Sequence, residues 1–218
     1  MDVRVGSDAD VQAAAKIAGR LRDAHRRRAE AFLAMSGGST APPMIRALLD
    51  QDVPWETVIV WQVDERVAPD GDEARNAEQL AVLPCVVRLM PVTNPDLRRS
   101  ARQYGALLPE RFDVVHLGLG DDGHTASWPP GDDAPVTSKR SVELVRDFHG
   151  LDRMTLTGRV INGARSRVVL ATGASKRPMV QRWLDGDPTL PVASVKRPDT
   201  WVFLDDAAAP EGRAREPQ

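Results

Sequence analysis

The sequence predicts an α/β protein built on a mostly parallel sheet with helices on both faces. Short apolar runs alternate with stretches of helical periodicity along the chain, the pattern of a sheet covered on two sides. Four of these runs lead into loops rich in glycine, hydroxyl or charge, and open α/β sheets bind ligands at the carboxyl ends of their strands. The 218 residues are 42% apolar and 28% charged, which supports a sizeable core under a solvated surface. Residues 1–209 read as one domain and 210–218 as a frayed tail, because the Ala/Pro/charge-rich end has little to bury.

Composition also excludes function classes. A net charge of −2 gives no overall attraction to nucleic acid or anionic membranes. Cys85 is the single cysteine, so no intrachain disulfide and no cysteine-built metal site is expected. That fits a reducing, cytoplasmic setting. No apolar segment follows Met1-Asp2-Val3-Arg4, so no signal peptide is expected. No apolar run approaches the roughly 20 residues of a membrane helix.

Taken in order, residues 8–30 predict a helix. Val11, Ala14, Ala18 and Leu21 recur at helical spacing, with Asp8 or Asp10 placed to cap it. His25-Arg26-Arg27-Arg28 falls at its end, where positive charge complements the helix dipole. Three arginines are too few for a groove that tracks a nucleic-acid backbone. Ala31–Met35 predicts a buried strand that stops at Ser36-Gly37-Gly38-Ser39-Thr40. Pro42 and Pro43 then suit the first turn of a helix carrying Met44, Ile45, Leu48 and Leu49. Residues 57–63 predict the next strand, ending in a charged loop, Asp64-Glu65-Arg66. Arg75-Asn76 precede a helix over 77–83, 86–89 is a short strand, and 96–108 another helix. The strand at 112–117 breaks into Gly118-Leu119-Gly120-Asp121-Asp122-Gly123-His124-Thr125-Ala126-Ser127. An irregular loop over 129–140, a strand at 154–157 and a short helix around Val160-Ile161 follow. The strand 167–171 opens into Thr172-Gly173-Ala174-Ser175-Lys176 and a helix, and 201–204 is the last strand.

The four loops at 36–40, 64–66, 118–127 and 172–176 all follow strands, so a parallel sheet turns them to one side. Their contents are complementary. Gly37, Gly38, Ser39 and Thr40 precede a helix, whose free N–H groups and dipole favour an anion. Lys176 at a helix start is disfavoured by the dipole, and a bound phosphate would relieve it. Asp64 can orient a hydroxyl, and Arg66 can bind phosphate or stabilise an oxyanion. His124 brings an imidazole, the side chain suited to general base chemistry near neutrality. Together they describe a site for a phosphorylated, hydroxyl-rich small molecule. Asp121, Asp122 and His124 have no second histidine at ligand spacing, so no metal is expected. No Gly-x-Ser-x-Gly elbow is present, which disfavours a serine hydrolase.

These four motifs, in this order, resemble those of the 6-phosphogluconolactonases. The related glucosamine-6-phosphate deaminases read Gly-His-Ile-Ala where this chain has Gly123-His124-Thr125-Ala126. The resemblance implies a modified Rossmann-like fold and hydrolysis of 6-phosphoglucono-δ-lactone in the oxidative pentose phosphate pathway. It implies His124 as the base that activates water, with Arg66 and Asp64 beside the substrate. Gly37, Gly38, Ser39, Thr40, Gly123 and Lys176 fall on the substrate and phosphate side. No metal or organic cofactor is implied. The partner is a small sugar-phosphate lactone, and the chain reads as a monomer or a homodimer. Two departures stand out. Trp128-Pro129-Pro130 replaces the family's Leu-Phe-Pro after the serine, which should reshape the pocket wall beside His124. Arg75 replaces a serine before Asn76 and adds a cation on the phosphate side. The alternatives are a sugar-phosphate isomerase or deaminase using Asp64 as base, and a sugar-phosphate sensor without turnover. The deaminases carry a glutamate near the position of Pro129, which is absent here.

Overall fold

The computed structural model describes residues 1–212. The chain opens with strand β1 (Asp2–Val5), helix α1 (Ala9–Arg28), β2 (Ala31–Met35) and α2 (Ala41–Leu49). It continues through β3 (Val58–Gln62), β4 (Asp64–Arg66), α3 (Asn76–Leu80), β5 (Val86–Arg88) and α4 (Leu97–Leu107). Next come β6 (Val114–Gly118), α5 (Ala134–Thr137), β7 (Val142–Phe148), β8 (Leu151–Leu156) and α6 (Gly158–Gly163). The described chain closes with β9 (Ser166–Ala171), α7 (Arg177–Leu184) and β10 (Thr200–Leu204).

Seven strands form one parallel sheet in the order β1-β10-β9-β6-β2-β3-β5. From β2 the chain steps to β3 and β5 on one side; from β6 it steps to β9 and β10 on the other. The boundary between β2 and β6 is therefore the switch point, where loops leave in opposite directions and open a crevice. β4, β8 and β7 form a separate antiparallel sheet.

Successive side chains on a strand face opposite ways. Val114 and Val115 on β6, and Val168 and Val169 on β9, are fully buried pairs that enter two different clusters. One cluster lies under α1 and α2, with Ile17, Leu21, Met44 and Leu48 against Leu33 and Val60. The other holds Trp61, Tyr104, Trp128, Val180 and Trp183. This double burial is the reason the central strands read as continuous apolar runs.

Several expectations are corrected. Val11 is 44% exposed; α1 packs instead through Ala13, Ala14, Ile17, Ala18, Leu21 and Ala24. Asp8 makes no side-chain cap bond, and its carboxylate instead takes Gln12 Nε2 at 2.7 Å, while Asp10 Oδ1 accepts the first-turn N–H of Val11 at 3.0 Å. Asp64-Glu65-Arg66 is not a loop but strand β4, paired with residues 153–155 about ninety positions on. The edge strand β1 and the strand β7 were not expected. Ala208, Ala209 and Pro210 are buried, so packing extends past the expected start of the tail; residues 213–218 lie outside the described residues. No helix among the described residues is long and apolar enough to cross a membrane.

His116 sits in the middle of β6, wholly buried, with no hydrogen-bond partner on either ring nitrogen among the described residues. Burial pulls the imidazole down from its ordinary 6.5 to about 4. The unfolded chain therefore takes up this proton first, and stability falls as pH drops from 6.5 toward 4. The loss should reach roughly 3 kcal/mol. Urea unfolding across that window should show a shallower pH slope for His116→Gln than for the parent chain; equal slopes would remove the imidazole as the cause.

Candidate functional site

At the switch point lies a crevice of about 410 Å³. Its wall on the β2 side is the turn Ser36–Thr40. The turn after β6 supplies Gly120, Asp121, Asp122 and His124, and Lys176 arrives from the turn after β9. Asp64 and Arg66 come from β4, Asn76 from the start of α3, and His149 and Arg153 from the β7–β8 hairpin. The parallel sheet thus brings three of the four predicted loops together, and the small antiparallel sheet delivers the fourth.

Glu65 organises the floor. Its side chain is fully buried. One oxygen accepts from the backbone N–H of Arg66 and of Asn76, both at 2.8 Å. The other accepts from Gln62 Nε2 at 2.7 Å and from Ala77 N at 2.9 Å. Arg75 Nε lies 3.1 Å from the same oxygen and neutralises it. Asn76, pinned in this way, donates to Asp64 O at 2.9 Å and accepts from Arg66 Nη1 at 2.8 Å. It also presses on Gly37, where a Cβ would fall 2.1 Å from Asn76 Oδ1. Glycine is needed there for close approach.

His124 is held from two sides. Its Nδ1 lies 2.5 Å from Asp122 Oδ1, which also accepts the His124 backbone N–H at 3.0 Å. The ring lies over Gly120, where a Cβ would sit 2.0 Å from Nδ1. Phe148 meets the imidazole edge-on at 5.1 Å. Burial works to raise the Asp122 carboxyl, but the hydrogen bonds from His124 outweigh it and hold it well below the usual carboxylate range. The second Asp122 oxygen meets His149 Nε2 at 3.2 Å, so one carboxylate bridges two imidazoles. The donor atoms of Asp122, His124 and His149 all lie within 4.8 Å of one another. The second histidine that local spacing denied is thus supplied by the fold, and these three residues have the donor types of a zinc site with an open position.

Charge around the crevice is balanced. Lys176 Nζ lies 2.6 Å from Asp121 Oδ1, and that hydrogen bond lowers the Asp121 carboxyl. Asp64 is buried and accepts from Ser127 Oγ at 2.8 Å, which ties β4 to the glycine loop. Arg66 Nη1 also donates to Ala74 O at 2.7 Å, while its buried Nε has no partner among the described residues. Arg153 donates through Nε to Phe148 O at 3.0 Å and stacks over the Phe148 ring.

Of the site residues expected from the sequence, the crevice gathers His124, Asp64, Arg66, Gly37, Gly38, Ser39, Thr40 and Lys176. Arg75 and Gly123 are not in its wall. Arg75 is buried, held by Glu65, by Asp70 Oδ1 at 3.1 Å and by Ala68 O at 3.0 Å, so it is a counter-charge and not an added phosphate ligand. Gly123 has φ +88, and a Cβ would strike Leu190 Cδ2 at 2.7 Å; it shapes the loop from behind. Trp128 also stays out of the wall, fully buried and donating to Leu156 O at 2.9 Å. Sequence reasoning missed Asn76, His149 and Arg153. A signal existed for the last two: two alternating runs flank His149-Gly150, whose φ values of 53 and 79 suit a tight hairpin turn.

A family model described as glucosamine-6-phosphate isomerases/6-phosphogluconolactonase matches residues 7–204. A 6-phosphogluconolactonase from Synechocystis sp. is 36% identical over 176 residues, covering 72% of this chain and 73% of that protein. The crystal structure of a 6-phosphogluconolactonase from Shewanella baltica superposes with a TM-score of 0.84 at 24% identity, covering 94% and 97% of the two chains. A monomeric glucosamine-6-phosphate deaminase superposes with a TM-score of 0.80 at 20% identity, covering 95% and 98%. Both superpositions speak to the fold alone.

The Glu65–Arg75 pair makes a measurable claim. Arg75→Ala leaves a buried carboxylate without its counter-charge and should cost about 3–5 kcal/mol in urea unfolding. Glu65→Gln combined with Arg75→Ala should recover part of that. A loss below about 1 kcal/mol for Arg75→Ala, the size of an exposed pair, would show that the guanidinium does not neutralise Glu65.

Proposed function

The chain belongs to the glucosamine-6-phosphate isomerase/6-phosphogluconolactonase family, and from that we propose that it hydrolyses 6-phospho-D-glucono-1,5-lactone to 6-phosphogluconate. The observation that carries the reading is the oriented His124, held at Nδ1 by Asp122, in one crevice with the Gly37-Gly38 turn and Lys176. With Asp122 as acceptor, Nδ1 carries the ring proton and Nε2 presents its lone pair. Nε2 takes a proton from water as the oxygen adds to the lactone carbonyl. Arg66 stands beside the reacting end and stabilises the oxyanion. As the tetrahedral intermediate collapses, the bond from C1 to the ring oxygen breaks. That oxygen takes the proton back from the imidazolium, and the acid product ionises.

The phosphate end rests on the glycine turn ahead of α2 and displaces Asp121 from Lys176. This gives the lysine a partner of greater charge. The lactone is already reactive, so a positioned base and a clamp are sufficient. The deaminase reading fits less well. Asp64, its required base, has one oxygen bound to the buried Ser127 hydroxyl. The name of the Synechocystis relative also points to the lactonase. A cytoplasmic setting and a small-molecule partner without nucleic acid or membrane complete the proposal.

The test is hydrolysis of fresh 6-phosphogluconolactone with the spontaneous rate subtracted. His124→Ala should lower the catalysed rate by at least about 10²-fold, and Lys176→Ala should raise KM for the phosphorylated lactone more than for gluconolactone. An unchanged rate for His124→Ala would remove the mechanism, and product from glucosamine 6-phosphate alone would replace the reaction. The proposed base needs no metal, so dialysis against a chelator should leave the rate unchanged. Loss restored by Zn²⁺ would instead make Asp122, His124 and His149 a catalytic metal centre.

A further inference from the structure

A second cavity, of about 200 Å³, opens at the other pole of the sheet. Arg20, Arg27 and Arg28 reach it from the last turns of α1, Arg111 and Asp113 from the segment entering β6, and Arg165 from the residue before β9. The catalytic crevice lies where β6 and β9 end, and this cavity lies where they begin. A five-residue strand separates the two by roughly 16 Å.

The arginines exceed what the fold requires. The carboxyl end of α1 presents a partial charge of about half a unit. That accounts for basic residues in its last turn. It does not account for Arg111 and Arg165, which converge on the same cavity from distant parts of the chain. Among the described residues, five guanidinium groups meet two carboxylates there. Asp113, almost fully buried, takes Arg28 at 2.5 Å and Arg165 at 3.3 Å, while its other oxygen accepts Phe32 N at 3.0 Å. It therefore orients two guanidiniums as well as neutralising one. Asp23 is engaged by Arg26, which stands outside the cavity. Arg111 is satisfied by a neutral carbonyl, Gly163 O at 2.7 Å. Arg20 Nε is buried without a hydrogen-bond partner among the described residues.

We infer that this cavity is an anion site for a phosphate-bearing small molecule, distinct from the catalytic crevice. Oriented guanidiniums suit phosphate oxygens because each offers a planar fork of donors. The volume accommodates roughly six waters, which is right for one or two phosphate groups and too small for a folded peptide segment. The two carboxylates in the wall also argue against a nucleic-acid groove, since they would face a backbone of like charge.

Calorimetric titration of the full chain with inorganic pyrophosphate tests this. Arg27 and Arg165 are exposed, so Arg27→Ala/Arg165→Ala should fold, which its thermal midpoint would check. Arg27→Gln/Arg165→Gln serves as the second variant. Both pairs should weaken pyrophosphate binding by at least about tenfold, leaving catalysed lactone hydrolysis unchanged. Binding that neither pair affects, no binding at all, or tighter binding of a single-stranded oligonucleotide than of pyrophosphate would overturn the inference. Because the readout is binding at the arginines, its outcome is separate from that of the proposed reaction.

Discussion

The crevice at the switch point depends on a carboxylate that is not in its wall. Glu65 is fully buried and takes four hydrogen bonds and one guanidinium. An ionised carboxylate tolerates burial only with such partners. The hydrogen-bond partners come from three elements. Gln62 ends β3, Arg66 lies on β4, and Asn76 and Ala77 open α3. Satisfying one buried charge therefore ties β3, β4 and α3 together. It also positions Asn76, which in turn holds Arg66 and packs against Gly37.

The opposite wall works on the same logic at lower cost. Asp122 orients His124 and reaches His149, while Asp121 holds Lys176. His124, His149 and Lys176 each have an acidic neighbour from the same glycine-rich turn. The turn gains its close geometry from glycine at 120, where any side chain would occupy the imidazole's place. Pairing of this kind holds the side chains in place. It also fixes which imidazole nitrogen carries the proton. The antiparallel β7–β8 hairpin adds Phe148, His149 and Arg153 over the top, so the crevice is completed by a unit outside the main sheet.

Much of this was legible locally. The strands over 31–35, 58–62, 114–118 and 166–171 declared themselves through apolar runs buried on both faces. The glycine turns declared themselves through residues that only special backbone geometry requires. Arg75 was misassigned because a cation near a phosphate motif looks like a ligand until its buried counter-charge is seen. Trp128 was placed in the pocket wall because it follows the catalytic motif, whereas its indole N–H finds a carbonyl in the core. His149 and Arg153 were missed because their proximity to His124 comes from a hairpin folding back, not from spacing along the chain.

The amino-acid order alone determined the periodicities, the breaks and the chemical inventory, since those arise between residues a few positions apart. It was enough to establish an α/β sheet with its reactive loops on one side. Only the tertiary structure decided which charges cancel and which face a ligand. Ion pairing and burial depend on distances between segments as remote as β4 and β8, and on the water removed when they meet, and neither quantity exists until the chain is folded.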